Sequence, residues 1–196
     1  MHASHPFAGK HVVIVHGYTA SPAANWFPWL ADTLVAAGAR VDVPAMPAPL
    51  APEPTAWTAA LRAVAPIVDN DTFLVGHSLG CIAVLRHLLA LPERTQAGGI
   101  VLVSGFERTL DTLPELSAFT DSPLDHLQVR RRAGHRASIF SDNDTIVAPA
   151  ASRDLAVALD TTVAMVAGGG HFLDRDGFTQ LPQVLETLER FATSPD

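Results

Sequence analysis

The most informative part of the chain runs Thr72-Phe73-Leu74-Val75-Gly76-His77-Ser78-Leu79-Gly80-Cys81-Ile82-Ala83. Its first four residues read as a buried strand, and from Leu79 onward the apolar pattern is that of a helix. Between them stands Gly-x-Ser-x-Gly. Turning a strand into a helix over so few residues brings neighbouring backbone against both glycine positions, where side chains would collide, and lifts the serine hydroxyl clear of the sheet edge. A raised hydroxyl at a helix start is placed for nucleophilic attack, so Ser78 is the candidate nucleophile.

Working outward, short apolar runs alternate with longer helix-like segments. The strand candidates are 11–16, 40–43, 72–75, 99–104, 136–140 and 162–166, rich in Val, Ile and Leu without polar alternation, as in strands buried on both faces. Helix candidates fall at 27–37, 55–68, 79–91, 150–159 and 181–192, several opening on Pro or a capping residue. This alternation predicts an α/β protein with a parallel sheet wrapped by helices. Five prolines between Pro44 and Pro54 predict a stiff surface loop after the second strand. The segment from Phe106 to His135 is the longest piece between strands, and it is where an insertion could sit over a site at the carboxyl ends of the strands.

With 196 residues, 48% of them hydrophobic, the chain is expected to form one domain over residues 1–196. A formal charge of −7 leaves little basic surface for a phosphate backbone, so no nucleic-acid partner is expected. Arg130-Arg131-Arg132 is read as a solvated face of a helix or loop in preference to an anion site. The single cysteine, Cys81, excludes an internal disulfide framework and a multi-cysteine zinc site and suits a reducing compartment; it reads as a small packed hydrophobe. Residues 1–10 lack a basic region followed by an apolar core, and no stretch is apolar over the roughly 18 residues of a membrane span. A cytoplasmic protein without membrane association is the expectation.

A serine hydroxyl needs a base, and in this strand-elbow-helix architecture the acid follows the serine and the histidine comes last. Of nine histidines, His171 follows the strand candidate 162–166 through Gly168-Gly169-Gly170, a turn able to bring an imidazole to the strand's carboxyl end. His126 and His135 precede any candidate acid, and His2, His5 and His11 come before the end of the first strand. For the acid, Ser141-Asp142-Asn143-Asp144-Thr145-Ile146-Val147 offers Asp144, favoured because Ile146 and Val147 fix the loop behind its carboxylate, with Asp142 as the rival. The oxyanion donors are expected from the main-chain N–H of Leu79, at the helix start, and of Tyr18 in the loop after the first strand. Gly17 allows the close approach that loop needs, and His16 is read as a candidate brace. Trp26, Phe106 and Phe172 are the candidate pocket residues. Trp29 and Trp57 are weighed as core or cover.

The segments His16-Gly17-Tyr18, Asn25-Trp26-Phe27-Pro28-Trp29-Leu30, Gly76-His77-Ser78-Leu79-Gly80-Cys81, Leu102-Val103-Ser104-Gly105-Phe106 and Gly169-Gly170-His171-Phe172-Leu173 together resemble the YdeN-like bacterial branch of the family named after retinoblastoma-binding protein nine. The likeness runs over almost the whole chain. It implies a minimal α/β-hydrolase fold, a three-layer α/β/α sandwich with a six-stranded parallel sheet and no large cap domain. It also implies serine-hydrolase activity of an esterase-like kind, with a triad falling on Ser78, Asp144 and His171. A Leu-x-Cys-x-Glu motif linked to partner binding in the animal relative is not carried over, because residues 79–83 read Leu-Gly-Cys-Ile-Ala, without the glutamate.

The expected chemistry is therefore acyl transfer from a small ester, thioester or activated amide to water, needing neither metal nor organic cofactor. Activity should rise with pH as an imidazole base loses its proton. The middle segment is too short for a large cap, so an open, shallow site favouring short acyl groups is expected. Two other readings stand beside this one. One is a hydrolase-fold binding module with an idle triad, using the Phe106–His135 segment as its contact surface; the other is transfer of the acyl group to an acceptor other than water. Oligomeric state and natural substrate are left open by the sequence.

Overall fold

A computed structural model describes residues 5–193. Six strands, β1 (His11–Val15), β2 (Arg40–Asp42), β3 (Thr72–His77), β4 (Ala97–Val103), β5 (Ala133–Ser141) and β6 (Thr162–Val166), form one sheet in the order β2-β1-β3-β4-β5-β6. Every pairing is parallel. The helices are α1 (Phe27–Ala36), α2 (Pro54–Val64), α3 (Leu79–Ala90), α4 (His126–Arg132), α5 (Pro149–Leu159) and α6 (Pro182–Thr193). Pro28, Pro54 and Pro149 open α1, α2 and α5, where a missing N–H costs nothing and a fixed φ already suits the helix.

The period-two geometry of the strands sorts their apolar residues into two cores. Val13, Val15, Leu74, Ile100 and Leu102 pack with α2, α3 and α5 on one face. Val12, Ile14, Phe73, Val75, Val101 and Val103 pack with α1 and α6 on the other. This is the three-layer α/β/α sandwich, with a six-stranded parallel sheet and no large cap. Among the described residues no helix is long and apolar enough to cross a membrane.

The order reverses between β1 and β3, because β2 lies outside β1 while the chain continues from β3 toward β6. Loops leaving the carboxyl ends of these two central strands diverge to opposite sides, opening a crevice. The loop after β1 and the turn after β3 both end there.

Three departures from the sequence reading have physical causes. β2 and β6 are the sheet's edges, so they are half exposed rather than buried on both faces, with Val163 and Met165 facing outward. The segment after Phe106 holds a 3-10 turn over Pro114–Phe119 and the short helix α4, which begins where the Asp125 carboxylate accepts the Gln128 N–H and ends as β5 starts at Ala133. Arg132 is not part of a solvated face: it is buried, and its Nη1 donates to the carbonyls of Leu88, Leu89 and Leu91 at the end of α3. A cation suits that place, because the last carbonyls of a helix have no partner within it and carry its negative dipole end.

Candidate active site

All six residues of β3 are buried, and the strand delivers the chain to Ser78 at φ 54°, ψ −121°. A non-glycine residue in that region stores roughly 1–3 kcal/mol and persists only where the surroundings impose it. They do so here. The Ser78 N–H donates to Val103 O at 2.8 Å, and the Ser78 carbonyl accepts the Cys81 N–H at 3.0 Å. At both elbow glycines the backbone is too close for a side chain: a Cβ on Gly76 would lie 2.7 Å from Cys81 N, and one on Gly80 only 2.2 Å from Val15 O. Cys81 itself is buried, its Sγ 3.2 Å from Gly76 O, and burial pushes its thiol pKa up, out of reach of thiolate chemistry.

The other side of the site is built by the loops after β5 and β6, joined by three consecutive side chains. Asp142 Oδ1 accepts the Gly168 N–H at 2.8 Å, Asn143 Oδ1 accepts the Gly170 N–H at 2.8 Å, and Asp144 Oδ2 accepts the His171 Nδ1–H at 2.7 Å. Of the two candidate carboxylates, Asp144 is thus the one on the imidazole, while Asp142 holds the glycine turn. Asp144 Oδ1 also accepts the Ile146 and Val147 N–H groups at 2.9 and 3.0 Å. Burial works to raise its carboxyl pKa, but the bonds from His171, the nearby imidazole charge and the two amides outweigh burial and hold it below the ordinary value. With Nδ1 committed to Asp144, Nε2 of His171 is left to face the cleft.

Ser78 and His171 line one open cleft of about 260 Å³, together with Gly17, Tyr18, Asn25, His77 and residues 173–175. The loop after β1 comes close enough that a Cβ on Gly17 would lie 2.9 Å from Ser78 Cβ. His16 braces this loop: its Nδ1–H donates to Gly17 O, its Nε2 accepts the Met46 N–H, and burial lowers its pKa. Trp57 ties in the proline-rich stretch by donating from Nε1 to Pro47 O at 2.8 Å. The Thr19 and Ala20 amides are taken up by Pro49 O and Gly17 O, but no protein acceptor meets the Tyr18 amide among the described residues. Leu79, first in α3, has no carbonyl four residues back in its helix. Two main-chain donors are therefore present near Ser78.

The three aromatic residues expected in the pocket are not in it. Trp26 and Phe172 belong to the core under α1 and α6, Phe106 belongs to the opposite core, and all three are fully buried, away from the cleft lining. Burial of so much aromatic surface outweighs exposure at a loop end. The cleft is walled instead by small and polar residues. A second, more apolar cavity of about 380 Å³ lies beyond Asp144, among Leu110, Ile146 and Ala151.

The remaining histidines have other partners. His11 bonds Asp42 at 2.8 Å, His126 bonds Glu107 at 2.5 Å, His135 stacks on Phe191, and His87 bonds Ala65 O at 3.1 Å. His5 is exposed, and His2 lies outside the described residues. The residue missed from the sequence is His77. Strand parity could have placed it, since 73, 75 and 77 share the face toward α1, and its ring meets those of Trp26 and Phe27 there. Its Nε2–H donates to the main-chain carbonyl of His171 at 2.9 Å.

Burial, with the nearby His171 as a smaller contributor, lowers the His77 pKa to about 3; burial also lowers those of His16 and His87. Unfolded, each would protonate near the ordinary 6.5. The folded state binds fewer protons below that pH, so the stability these groups confer is complete above it and declines as the pH falls. For His77 the decline continues to about pH 3, at up to about 1.4 kcal/mol per pH unit. The depressed Asp144 adds in the same direction, its contribution being lost as the pH falls through its folded value. Denaturant midpoints are expected to fall steadily from about pH 6.5 to 4.5, and a flat profile over that range would contradict the buried neutral imidazoles.

A central parallel sheet carrying a strained serine between β3 and α3 defines a protein of the α/β-hydrolase fold. The chain belongs to the serine hydrolase family, whose sequence model matches residues 12–190. It is 45% identical over 182 residues to the YdeN protein of Bacillus subtilis, spanning 93% of this chain and 96% of that protein. The crystal structure of the ydeN gene product superposes with a TM-score of 0.92 at 44% identity, covering 94% of this chain and 100% of the other. The rat serine hydrolase RBBP9 is more distant, 24% identical over 180 residues, or 90% of this chain and 94% of that protein. A carboxylesterase from the thaumarchaeon Nitrososphaera gargenis shares the fold, with a TM-score of 0.69 at 11% identity, covering 94% of this chain and 91% of its own.

Proposed function

We propose that this protein is a carboxylesterase-like serine hydrolase acting on small esters, thioesters or activated amides. The observation that carries the reading is the 2.7 Å bond between His171 Nδ1 and Asp144 Oδ2, made in a cleft that His171 shares with the strained Ser78. Ser78 Oγ attacks the acyl carbonyl as His171 Nε2 takes its proton, and the oxyanion is held by the main-chain N–H groups of Tyr18 and Leu79. His171 then protonates the leaving group. Water enters, loses a proton to His171 and attacks the acyl-enzyme; as the bond to Ser78 Oγ breaks, His171 returns the proton to that oxygen, and the acid leaves. Asp144 keeps the imidazole in the Nδ1–H tautomer and stabilises its charged form.

A cleft of about 260 Å³ falls below the usual range for drug-sized ligands, which favours short acyl groups. The single buried cysteine fits a reducing compartment such as the cytoplasm.

A panel of p-nitrophenyl esters graded by chain length tests the activity, and product analysis with added alcohols and amines separates hydrolysis from acyl transfer to another acceptor. Turnover of short esters is expected; a purified protein inert on the whole panel would sink the reading. Asp144→Asn should lower kcat by about 10³- to 10⁴-fold, because the amide favours the wrong tautomer of His171. Asp142→Asn, which retains an oxygen acceptor for the Gly168 amide, should change kcat less than tenfold. Equal losses in the two variants would remove Asp144 from the assigned role.

A further inference from the structure

We infer that His77, the residue before the nucleophile, is a positioning residue that holds the main chain of His171 in register with Ser78 through its Nε2–H bond to the His171 carbonyl. The inference rests on the triad reading given under Proposed function.

The turn that carries His171 is followed by two anchors, the fully buried Phe172 and the Asp174 N–H, which donates to Asn25 Oδ1 at 3.0 Å. The turn itself runs through three glycines, two of them at positive φ (71° at Gly168, 53° at Gly170). On one side it is tied to the β5 loop by Asp142, Asn143 and Asp144. Those bonds set the base relative to its acid. They do not set it relative to the nucleophile, which stands between the end of β3 and the start of α3. His77 supplies a direct bond from the strand leading into Ser78 to the main chain of His171 itself, at 2.9 Å across 94 residues of sequence, and its own Cα is one peptide from Ser78.

The ring cannot readily move. It is buried beside Trp26 and Phe27, at centroid distances of 5.9 and 5.7 Å, and its centroid lies 4.9 Å from that of His171. Because the partner is a carbonyl, Nε2 is the protonated nitrogen; Nδ1 is buried without a partner. The titratable groups around it are His171, Asp144 and His16. A proton on Nδ1 would put a second cation beside the His171 imidazolium formed in catalysis, and burial opposes that protonation, so His77 stays neutral while His171 cycles.

Two substitutions and one measurement test this. His77→Phe keeps the ring bulk and removes the donor; His77→Gln offers an amide N–H at similar reach. His77→Phe should lower kcat on an activated ester by about 10- to 100-fold, the scale expected from a base displaced by about 1 Å. KM should stay within about twofold, and the apparent pKa of the kcat/KM profile should move. His77→Gln should recover kcat to within about fivefold of wild type. A folded His77→Phe with wild-type kcat and pH profile overturns the inference, even if its Tm is lower, since packing alone would give that.

If His77→Phe does not fold, nitrogen NMR of wild-type protein decides. A His77 ring that keeps its Nε2–H and does not titrate between about pH 8 and 5 supports the bond, and one that protonates near the ordinary 6.5 overturns it. Failure of the hydrolase reading looks different, because wild type itself would then turn over no ester.

Discussion

Ser78→Ala should abolish ester hydrolysis, with a loss of about 10⁶-fold in kcat, the scale seen when a triad serine is removed from a serine hydrolase. The hydroxyl is the only protein group in the proposed mechanism that forms a bond to the acyl carbon, so without it no acyl-enzyme forms for His171, Asp144 and the two amides to act on. The fold should survive. Ser78 makes no side-chain capping bond to α3, and its positive φ is imposed by the backbone bonds to Val103 and Cys81, which alanine keeps. Thermal unfolding should show the variant intact, and a fluorophosphonate probe should label wild type and leave Ser78→Ala unmarked. Labelling of neither protein would favour a binding module with an idle triad. Labelling of both would move the nucleophile elsewhere.

The largest stability effect is expected at Gly80. An added Cβ would stand 2.2 Å from Val15 O and 2.8 Å from His16 O. These are carbonyls of β1 and its outgoing loop, not side-chain ends that can swing away, so either α3 lifts off the sheet or β1 shifts. β1 is paired on both sides, with β2 and β3, and α3 is buried along nearly its whole length. Both responses disturb the layer that carries the site. Gly80→Ala should cost about 3 kcal/mol or more, toward the upper end for overpacking. In a chain of this length that corresponds to a fall of about 10 °C in Tm. A variant with wild-type Tm would show that the elbow is looser than the close approach implies.

The parts of this molecule legible in its sequence are those with a local physical cause. β3 into α3 could be read because burial on both faces needs an unbroken apolar run, and because the turn between them admits only glycine at two places. The six strands and five of the six helices could be read on the same grounds, with boundaries off by a few residues. The order acid then histidine could be read because each follows an apolar run that ends at the sheet's carboxyl edge. Helix α4 could not, since its seven residues carry too few apolar positions to show a period. Nor could the fate of Arg132, whose three carbonyl partners come from a helix more than forty residues away.

The aromatic residues show the same division. Trp26, Phe106 and Phe172 adjoin loops that face the site, and proximity in sequence points them at it. Which way such a side chain turns depends on where apolar surface lies in three dimensions, and all three turn into the cores. Choosing between Asp142 and Asp144 also waited on geometry, since two carboxylates two residues apart look alike until one is seen on an imidazole and the other on a glycine amide.

What the amino-acid sequence by itself determined was the parallel α/β architecture and the elbow at Ser78, because strand burial, helix period and glycine clearance act over a few residues. What only the tertiary structure decided was how the loops after β1, β3, β5 and β6 meet: Asp144 on His171, His77 on the His171 carbonyl and Gly17 against Ser78. Those contacts join residues up to 94 positions apart. They depend on strand order and on which side of the sheet each side chain leaves, and no local pattern encodes either.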